Sequence, residues 1–272
     1  METPRLTVRR LGQKDVGALV RYLERDRLNN LFHLANLDQL GIEHPELHYY
    51  GAFRADGAWA GELMRFRSSA GIFWQDRRVL PQFKDIIHRE KASALTGQSA
   101  QVDPLLSLLP DGHISECVAA TYALVGAGEL RPWPDRGERL ATLDDLDLLA
   151  DLYARNLLFG KLDWSKHRAR IESVLATGGI ITLVERDGLA VSAARTSAIG
   201  HGMAMIGGVI TLPAYRRMGF ARACTGLLSR QLIERGVDSC LNYSAADPAA
   251  SKTYLGLGYR TIGKWTIAFL NA

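Results

Sequence analysis

Cysteine is scarce in this chain. Three occur in 272 residues, Cys117, Cys224 and Cys240, widely spaced and odd in number. A disulfide framework needs pairs and a structural zinc site needs clustered ligands, so both are disfavoured and a reducing, cytoplasmic setting is expected. Long apolar runs are missing too, and with them any segment fit to span a bilayer. The first fifteen residues are charged and have no apolar centre of the kind a secretory signal uses. Low-complexity tracts are absent. His44, Glu46 and His48 are close together but lack metal-ligand spacing, so no metal is expected. An excess of one charge sign is also lacking: Lys and Arg number 33 against 29 Asp and Glu, a net charge of +4. The arginines are scattered in short pairs such as Arg9-Arg10, Arg77-Arg78 and Arg216-Arg217, without the basic stripe of a nucleic-acid binder.

What remains is ordinary globular material, 47% hydrophobic and 23% charged, long enough for one large or two ordinary domains. The best linker is Arg131-Pro132-Trp133-Pro134-Asp135-Arg136-Gly137. Its prolines and glycine suit neither helix nor central strand. It divides the chain into a first domain, 1–130, and a second, 138–272.

In the second half, Thr142 is placed to cap a helix over 143–158, with acidic residues in its first turns. A second helix covers 166–176 and stops at Gly178-Gly179. Strands at 180–185 and 190–198 form a hairpin about Arg186-Asp187-Gly188. A mostly apolar strand follows at 203–211, in which Gly207-Gly208 suggests a bulge or a close backbone approach. Ala223, Cys224, Leu227, Leu228, Gln231 and Leu232 recur at helical spacing over 220–235. A strand at 239–245 leads to Asp247-Pro248, a cap and first residue for another helix. Strands at 259–261 and 264–270 close the chain. The first half is looser but follows the same order: helices at 15–25 and 30–40, a hairpin of 49–53 with 58–66, then helix 82–91, strand 94–96 and helix 102–109.

The densest chemical signal is Tyr215-Arg216-Arg217-Met218-Gly219-Phe220-Ala221, a basic glycine-bearing turn between strand and helix. Helix starts offer unpaired N–H groups and a positive dipole end, and so hold phosphate. Gly219 removes a Cβ where backbone must approach the anion, and successive amides up to Arg222 can form a nest.

Arg216-x-x-Gly219-x-Ala221, with the lead-in Pro213-Ala214-Tyr215, resembles the pyrophosphate motif of the GCN5-related N-acetyltransferase (GNAT) superfamily. Asp247-x-x-Ala250-x-x-Thr253-Tyr254-x-x-x-Gly258-Tyr259 resembles that family's closing motif, with Asp where Asn is usual. The resemblance covers residues 137 to 272 and is nearest to FR47-like, two-part members; Val191-Ser192-Ala193-Ala194 is similar to a strand of that group. It implies an α/β fold of two GNAT-like domains, each a mixed, mostly antiparallel twisted sheet flanked by helices. It implies acetyl-CoA as co-substrate, held by Val209, Ile210, Thr211, Arg216, Arg217, Met218, Gly219, Phe220, Ala221, Arg222 and Asp247. A backbone N–H at Ile210 would polarise the thioester carbonyl, and Tyr254 would protonate the departing thiolate after direct attack by a neutral amine. The first half carries no such phosphate motif and is expected not to bind acetyl-CoA, but to complete the fold and wall the acceptor site.

Several residues keep two readings. Asp247 is a plain helix cap or a coenzyme contact, and Tyr254 an acid or a packed core residue. His201 and Glu185 are candidate bases or surface residues. Asn242, Tyr243 and Ser244 either contact the acceptor or pack in the sheet; Trp133 and Trp164 line a pocket or pack. The acceptor, a small-molecule amine or a peptide N-terminus, is open, as is the general base. The chain is expected to work as a monomer or homodimer. The rivals to an enzyme are a coenzyme-binding regulatory protein without turnover and a nucleic-acid module.

Overall fold

A computed structural model describes residues 6–155 and 163–271. Packing divides the chain into two compact units, residues 1–122 with 263–272, and residues 123–262.

The first half contributes β1 (Thr7–Arg10), α1 (Val16–Leu23), α2 (Arg27–Leu40), β2 (Leu47–Phe53), β3 (Trp59–Phe66), β4 (Ser69–Trp74), α3 (Leu80–Arg89), β5 (Ala94–Gln98), α4 (Ser99–Leu106) and β6 (Ile114–Val125). The second half contributes β7 (Glu138–Leu140), α5 (Leu146–Ala154), α6 (Trp164–Ala176), β8 (Ile181–Arg186), β9 (Leu189–Gly200), β10 (Met203–Thr211), α7 (Phe220–Glu234), β11 (Asp238–Ser244), α8 (Pro248–Gly256) and β12 (Arg260–Leu270). The order is the same in both.

Each unit is a mixed sheet with an apolar cluster on either face. In the first unit, Leu19, Leu23, Leu34 and Leu37 of α1 and α2 pack with Leu47 and Tyr49. On the other face, Leu80, Phe83, Ile87, Val102 and Leu105 of α3 and α4 pack with Leu63 and Leu95. Leu80, Phe83, Ile86 and Ile87 are buried together because their spacing puts them on one side of a helix. In the second unit, α5 and α6 bury Leu149, Tyr153 and Ile171 against Ala193 and Ile210. There α7 and α8 bury Cys224, Leu228, Leu232 and Tyr254 against Val191, Ile206 and Leu241.

The duplication reaches individual residues. Arg9 donates two hydrogen bonds to Asp15, at 2.8 and 2.7 Å, and Asp15 also accepts from Gly12 N. Arg139 donates two to Asp145, at 2.8 and 2.7 Å, and Asp145 accepts from Thr142 N. In both halves this ion pair locks the first strand to the turn that opens the first helix. No run of identical residues betrays it.

Secondary structure departs from expectation at a few places. The helix expected at 143–158 begins as a 3-10 turn, Leu143–Asp145, before α5; residues 156–158 lie outside the described residues. The two closing strands are one, β12. Its residues 263–270 belong to the first unit by packing, whereas the sequence division placed them in the second. The cause is pairing: Trp265–Phe269 run antiparallel to Gln98–Ala94, and Thr266 Oγ1 donates to Asp103 while sharing a hydrogen bond with Ser99. Local sequence identifies a strand but not its partner.

Candidate functional site

Strands β10 and β11 run parallel, and their register covers only Met203–Ile206 against Asp238–Leu241. Beyond Ile206 the paired register ends. On its other edge β10 stays paired with β9 but takes one extra residue between Gly207, opposite Arg195, and Ile210, opposite Ala193. This is a bulge, and it needs glycine: Gly208 has φ +57°. Tyr153 Oη donates to Gly208 O at 2.7 Å, and Ser192 Oγ to Ile210 O at 2.8 Å. Those bonds fix the segment Gly207–Thr211, one from α5 and one from β9, and the bulge lies at the Gly207-Gly208 pair where the sequence suggested it.

After a turn at Pro213–Tyr215 the chain enters the basic loop. Arg217 has φ +64° and Gly219 φ +84°. Arg216, between them and the turn, is extended and points Nε at Thr211 O, 3.4 Å away. Helix α7 then begins at Phe220 with no side chain capping it. Its first intrahelical bond runs from Ala223 N to Gly219 O. The amides of Phe220, Ala221 and Arg222 therefore have no acceptor within the helix. Arg216, Arg217, Met218 and Gly219 are exposed. The Arg222 side chain is committed elsewhere: Nη2 donates to Gly256 O and Pro132 O, tying the α7 start to the α8 end. Sequence reasoning missed Arg136, whose Nε lies 3.5 Å from where a Cβ on Gly219 would stand. Arg136 comes from the linker, and nothing in that stretch announces its proximity.

Asp247 caps α8, its carboxylate accepting from Ala249 N and Ala250 N at 2.9 and 3.0 Å. Tyr254, one of the residues α8 contributes to the core, is 8% exposed. Its ring packs 5.3 Å from Tyr243 and 6.0 Å from Tyr259. Tyr259 Oη is enclosed by Ser229 and Ser239, whereas Tyr254 Oη makes no hydrogen bond among the described residues. Burial first, then the neighbouring Asp247 and Tyr243, push the Tyr254 phenol far above its ordinary pKa. The hydroxyl keeps its proton and has no competing acceptor. On β11, just past the last paired residue Leu241, Asn242 Oδ1 is buried with no partner.

The remaining candidates resolve towards structure. Glu185 pairs with Arg139 at 3.0 Å. Trp133 donates to Glu138 and stacks its ring over Gly226 and beneath Arg230; Trp164 donates to Asp151. His201 sits in its turn at φ +51°. Burial pushes the Cys224 thiol up to about 12, so it is inert. His48 bonds Glu90, and Glu46 bonds Arg67; among the described residues no group of His, Cys, Asp or Glu is arranged to hold a metal.

The equivalent place in the first unit is built differently. Strands β4 and β5 pair only at Ser69–Ala94 and Ala70–Leu95. Beyond them, Trp74 N donates to Gln101 Oε1 and its indole to Gln101 O. Ahead of α3, Asp76 accepts from Arg78 N and pairs with Arg78 and Arg54. The Arg78 guanidinium holds its carboxyl well below the usual range. A carboxylate thus already occupies that chain turn.

The family model described as FR47-like protein matches residues 184–268, a span that includes both the basic loop and Tyr254. That part of the second half is similar to an FR47-like domain. Solved structures extend the likeness over nearly the whole chain. The GCN5-related N-acetyltransferase from Sphaerobacter thermophilus is 13% identical, with 97% of this chain and 94% of that one covered at a TM-score of 0.67. A tandem GNAT protein from the clavulanic acid biosynthesis pathway is 13% identical, covering 97% and 98% at 0.61. A GCN5-related N-acetyltransferase-like protein from Streptococcus suis is 18% identical, covering 96% and 100% at 0.61. At these identities the likeness is one of fold: two GNAT-like units in one chain. No curated protein sequence matches. No helix among the described residues is long and apolar enough to cross a membrane.

Proposed function

We propose that the second unit binds acetyl-CoA and transfers its acetyl group to a primary amine. The observation that carries this reading is the run from parted strand to uncapped helix: β10 leaves β11 after Ile206, and leads through Arg217 and Gly219, both left-handed, to three acceptor-free amides of α7. The diphosphate fits those amides, with Arg136, Arg216 and Arg217 as nearby positive charge. The pantetheine arm, itself a chain of amides, fits the free edge of Val209, Ile210 and Thr211. A backbone N–H on the side of that edge that β11 leaves open would then face the thioester oxygen as charge develops there. Ile210 itself, the residue expected to supply it, is turned to β9, where Ser192 Oγ donates to its carbonyl.

The acceptor nitrogen, having lost a proton, attacks the acetyl carbon. An N–C bond forms, the C–S bond breaks, Tyr254 Oη gives its proton to the departing sulfur, and the nitrogen releases its extra proton to water as the amide forms. Its raised pKa keeps the acid loaded, and proton exchange with water reloads it. Holding both reactants side by side supplies much of the rate. Asp247 serves as the cap that fixes the α8 start, and Tyr254 with it.

Calorimetry with acetyl-CoA and CoA tests the binding half. No uptake of either by folded protein would end the transferase reading. The chemical half is tested by Tyr254→Phe, which should lower turnover by about 100-fold or more, within the general-acid range, and leave acetyl-CoA affinity intact. Unchanged turnover would return Tyr254 to the core.

A further inference from the structure

The acyl-transfer reading leaves one buried charge unused. Arg195 lies mid-strand on β9, opposite Gly207, and is 7% exposed. Burying a guanidinium without a counter-charge is costly; Arg139, for comparison, has Asp145 and Glu185. Arg195 makes no salt bridge among the described residues, and residues 156–162, outside them, contain no Asp or Glu. It bonds the Tyr153 hydroxyl, and its other hydrogen bonds are both from Nη1 and both long, 3.3 Å to Thr196 O and 3.3 Å to Ser197 Oγ. A guanidinium has five N–H donors, so part of its capacity, and all of its charge, is left unmatched.

The place where that capacity lies is informative. Arg195 Nε is 2.7 Å, and Tyr153 Oη 3.0 Å, from where a Cβ on Gly208 would stand. Gly208 is the bulge residue of the β10 segment assigned to the thioester. Next to Tyr153, with rings 6.1 Å apart and nearly parallel, is His167. It is 4% exposed, and its Nε2 is buried without a partner. Burial, then the charges of Arg170 and Arg195, hold this imidazole below its usual pKa, so it is neutral and can donate or accept. Two under-satisfied polar side chains thus flank the bulge on its α5–α6 side, one of them cationic. This is the donor set a planar monoanion needs, a guanidinium fork with a neutral imidazole beside it.

We propose that Arg195 is the specificity residue for the acceptor, and that the acceptor is an amine bearing a carboxylate, which the guanidinium holds beside the Gly208 bulge. This rests on the acyl-transfer reading of the same site. It narrows the acceptor class to amino acids and related amino-carboxylates, and disfavours polyamines and other acceptors without an acid group.

The test pairs acceptors that differ only in the acid group. The protein with acetyl-CoA is offered the proteinogenic amino acids as one set and their decarboxylated amines as another, with phosphoethanolamine as a separate arm. Acetylated products are read by mass spectrometry and rates by thiol release. The expected result is a preference of about 100-fold or more in kcat/KM for at least one amino acid over its decarboxylated partner. Arg195→Met should remove most of that preference through KM, with acetyl-CoA affinity by calorimetry unchanged. Arg195→Lys, which keeps the charge but not the fork, should fall between. A thermal melt of each variant checks folding, and the wild-type preference stands as a readout that needs no variant. Equal or better use of decarboxylated amines, preference for phosphoethanolamine, no acetylated product from any arm, or a preference that survives in Arg195→Met overturns the proposal. Acetyl-CoA binding measured alongside separates this failure from failure of the transferase reading.

Discussion

Gly219→Ala isolates the backbone geometry at the start of α7. Gly219 sits at φ +84°, ψ 3°, in the left-handed region. The nearest atom to an added Cβ is Arg136 Nε at 3.5 Å, ordinary contact distance. The substitution therefore adds no clash, only the strain of an L-residue in that region, about 1–2 kcal/mol. That strain must surface in one of two measurements. If the loop keeps its shape without ligand, denaturant unfolding reports a loss of about 1–2 kcal/mol and acetyl-CoA affinity is unchanged. If the loop relaxes instead, stability is spared, and binding must restore the strained form, weakening affinity by about 5- to 30-fold. The two losses should sum to about 1–2 kcal/mol in either case. Gly219→Asn should show a smaller sum, because Asn tolerates the left-handed region. Urea unfolding followed by circular dichroism and calorimetry with acetyl-CoA supply both numbers. A Gly219→Ala protein with wild-type stability and wild-type affinity would refute the assignment of this turn as a geometrically demanding anion cradle.

Two further outcomes concern stability alone. Gly226→Ala should cost about 1–3 kcal/mol in urea unfolding, since the new methyl would stand 2.5–2.7 Å from the rigid Trp133 ring; an unchanged midpoint would mean that the ring is free to move. Asp15, held at a pKa of about 2 against an ordinary 3.8 chiefly by the Arg9 hydrogen bonds, is a depressed carboxylate. Its contribution is present above pH ~4 and lost as pH falls through about 2. Arg9→Met should raise the Asp15 midpoint in a carboxyl NMR titration, and a midpoint that stays near 2 would show that the backbone bond from Gly12 is sufficient. Because Arg9 is half-exposed, salt should weaken the effect.

The second half was readable because its elements obey strong local rules. The strand 203–211 was placed to the residue, since glycine-bearing turns bound it on both sides. So was the Asp247 cap, since Asp-Pro at a helix start has few alternatives. Short strands escaped: β1 and β7 are too brief to show alternation, and β4 hides between turns; the twelve-residue β6 escaped as well. The pairing of β12 with β5 was illegible for a different reason, because register with a distant strand is a tertiary choice. In the proposed site, residues carried by contiguous motifs could be seen, Arg216 to Ala221 and Tyr254 among them. Arg136, Arg195, Tyr153 and His167 could not. Each reaches the loop or the bulge through folding from a stretch with no motif of its own, and a buried arginine looks like any other in sequence.

The two halves also explain each other. Both lead a strand into a helix at the same point of the topology, and both face the same problem, unpaired amides at a positive dipole end. The first half solves it internally with Asp76, whose carboxylate accepts from Arg78 N, and with a proline in the first turn of α3, which removes a donor. The second half has no capping side chain at α7 and adds Arg216 and Arg217, positive charge beside a positive helix end. That arrangement is unfavourable for the unliganded fold and becomes favourable when an anion completes it. Met218 is 53% exposed and precedes the cap. Met218→Asp should supply the missing carboxylate, raising unliganded stability by a few tenths to about 1 kcal/mol, and should weaken acetyl-CoA binding by about tenfold or more through repulsion of the diphosphate. The opposite signs distinguish this from ordinary damage, which lowers both. A Met218→Asp protein that is less stable and binds acetyl-CoA as tightly as before would show that the α7 start carries no unmet demand for negative charge.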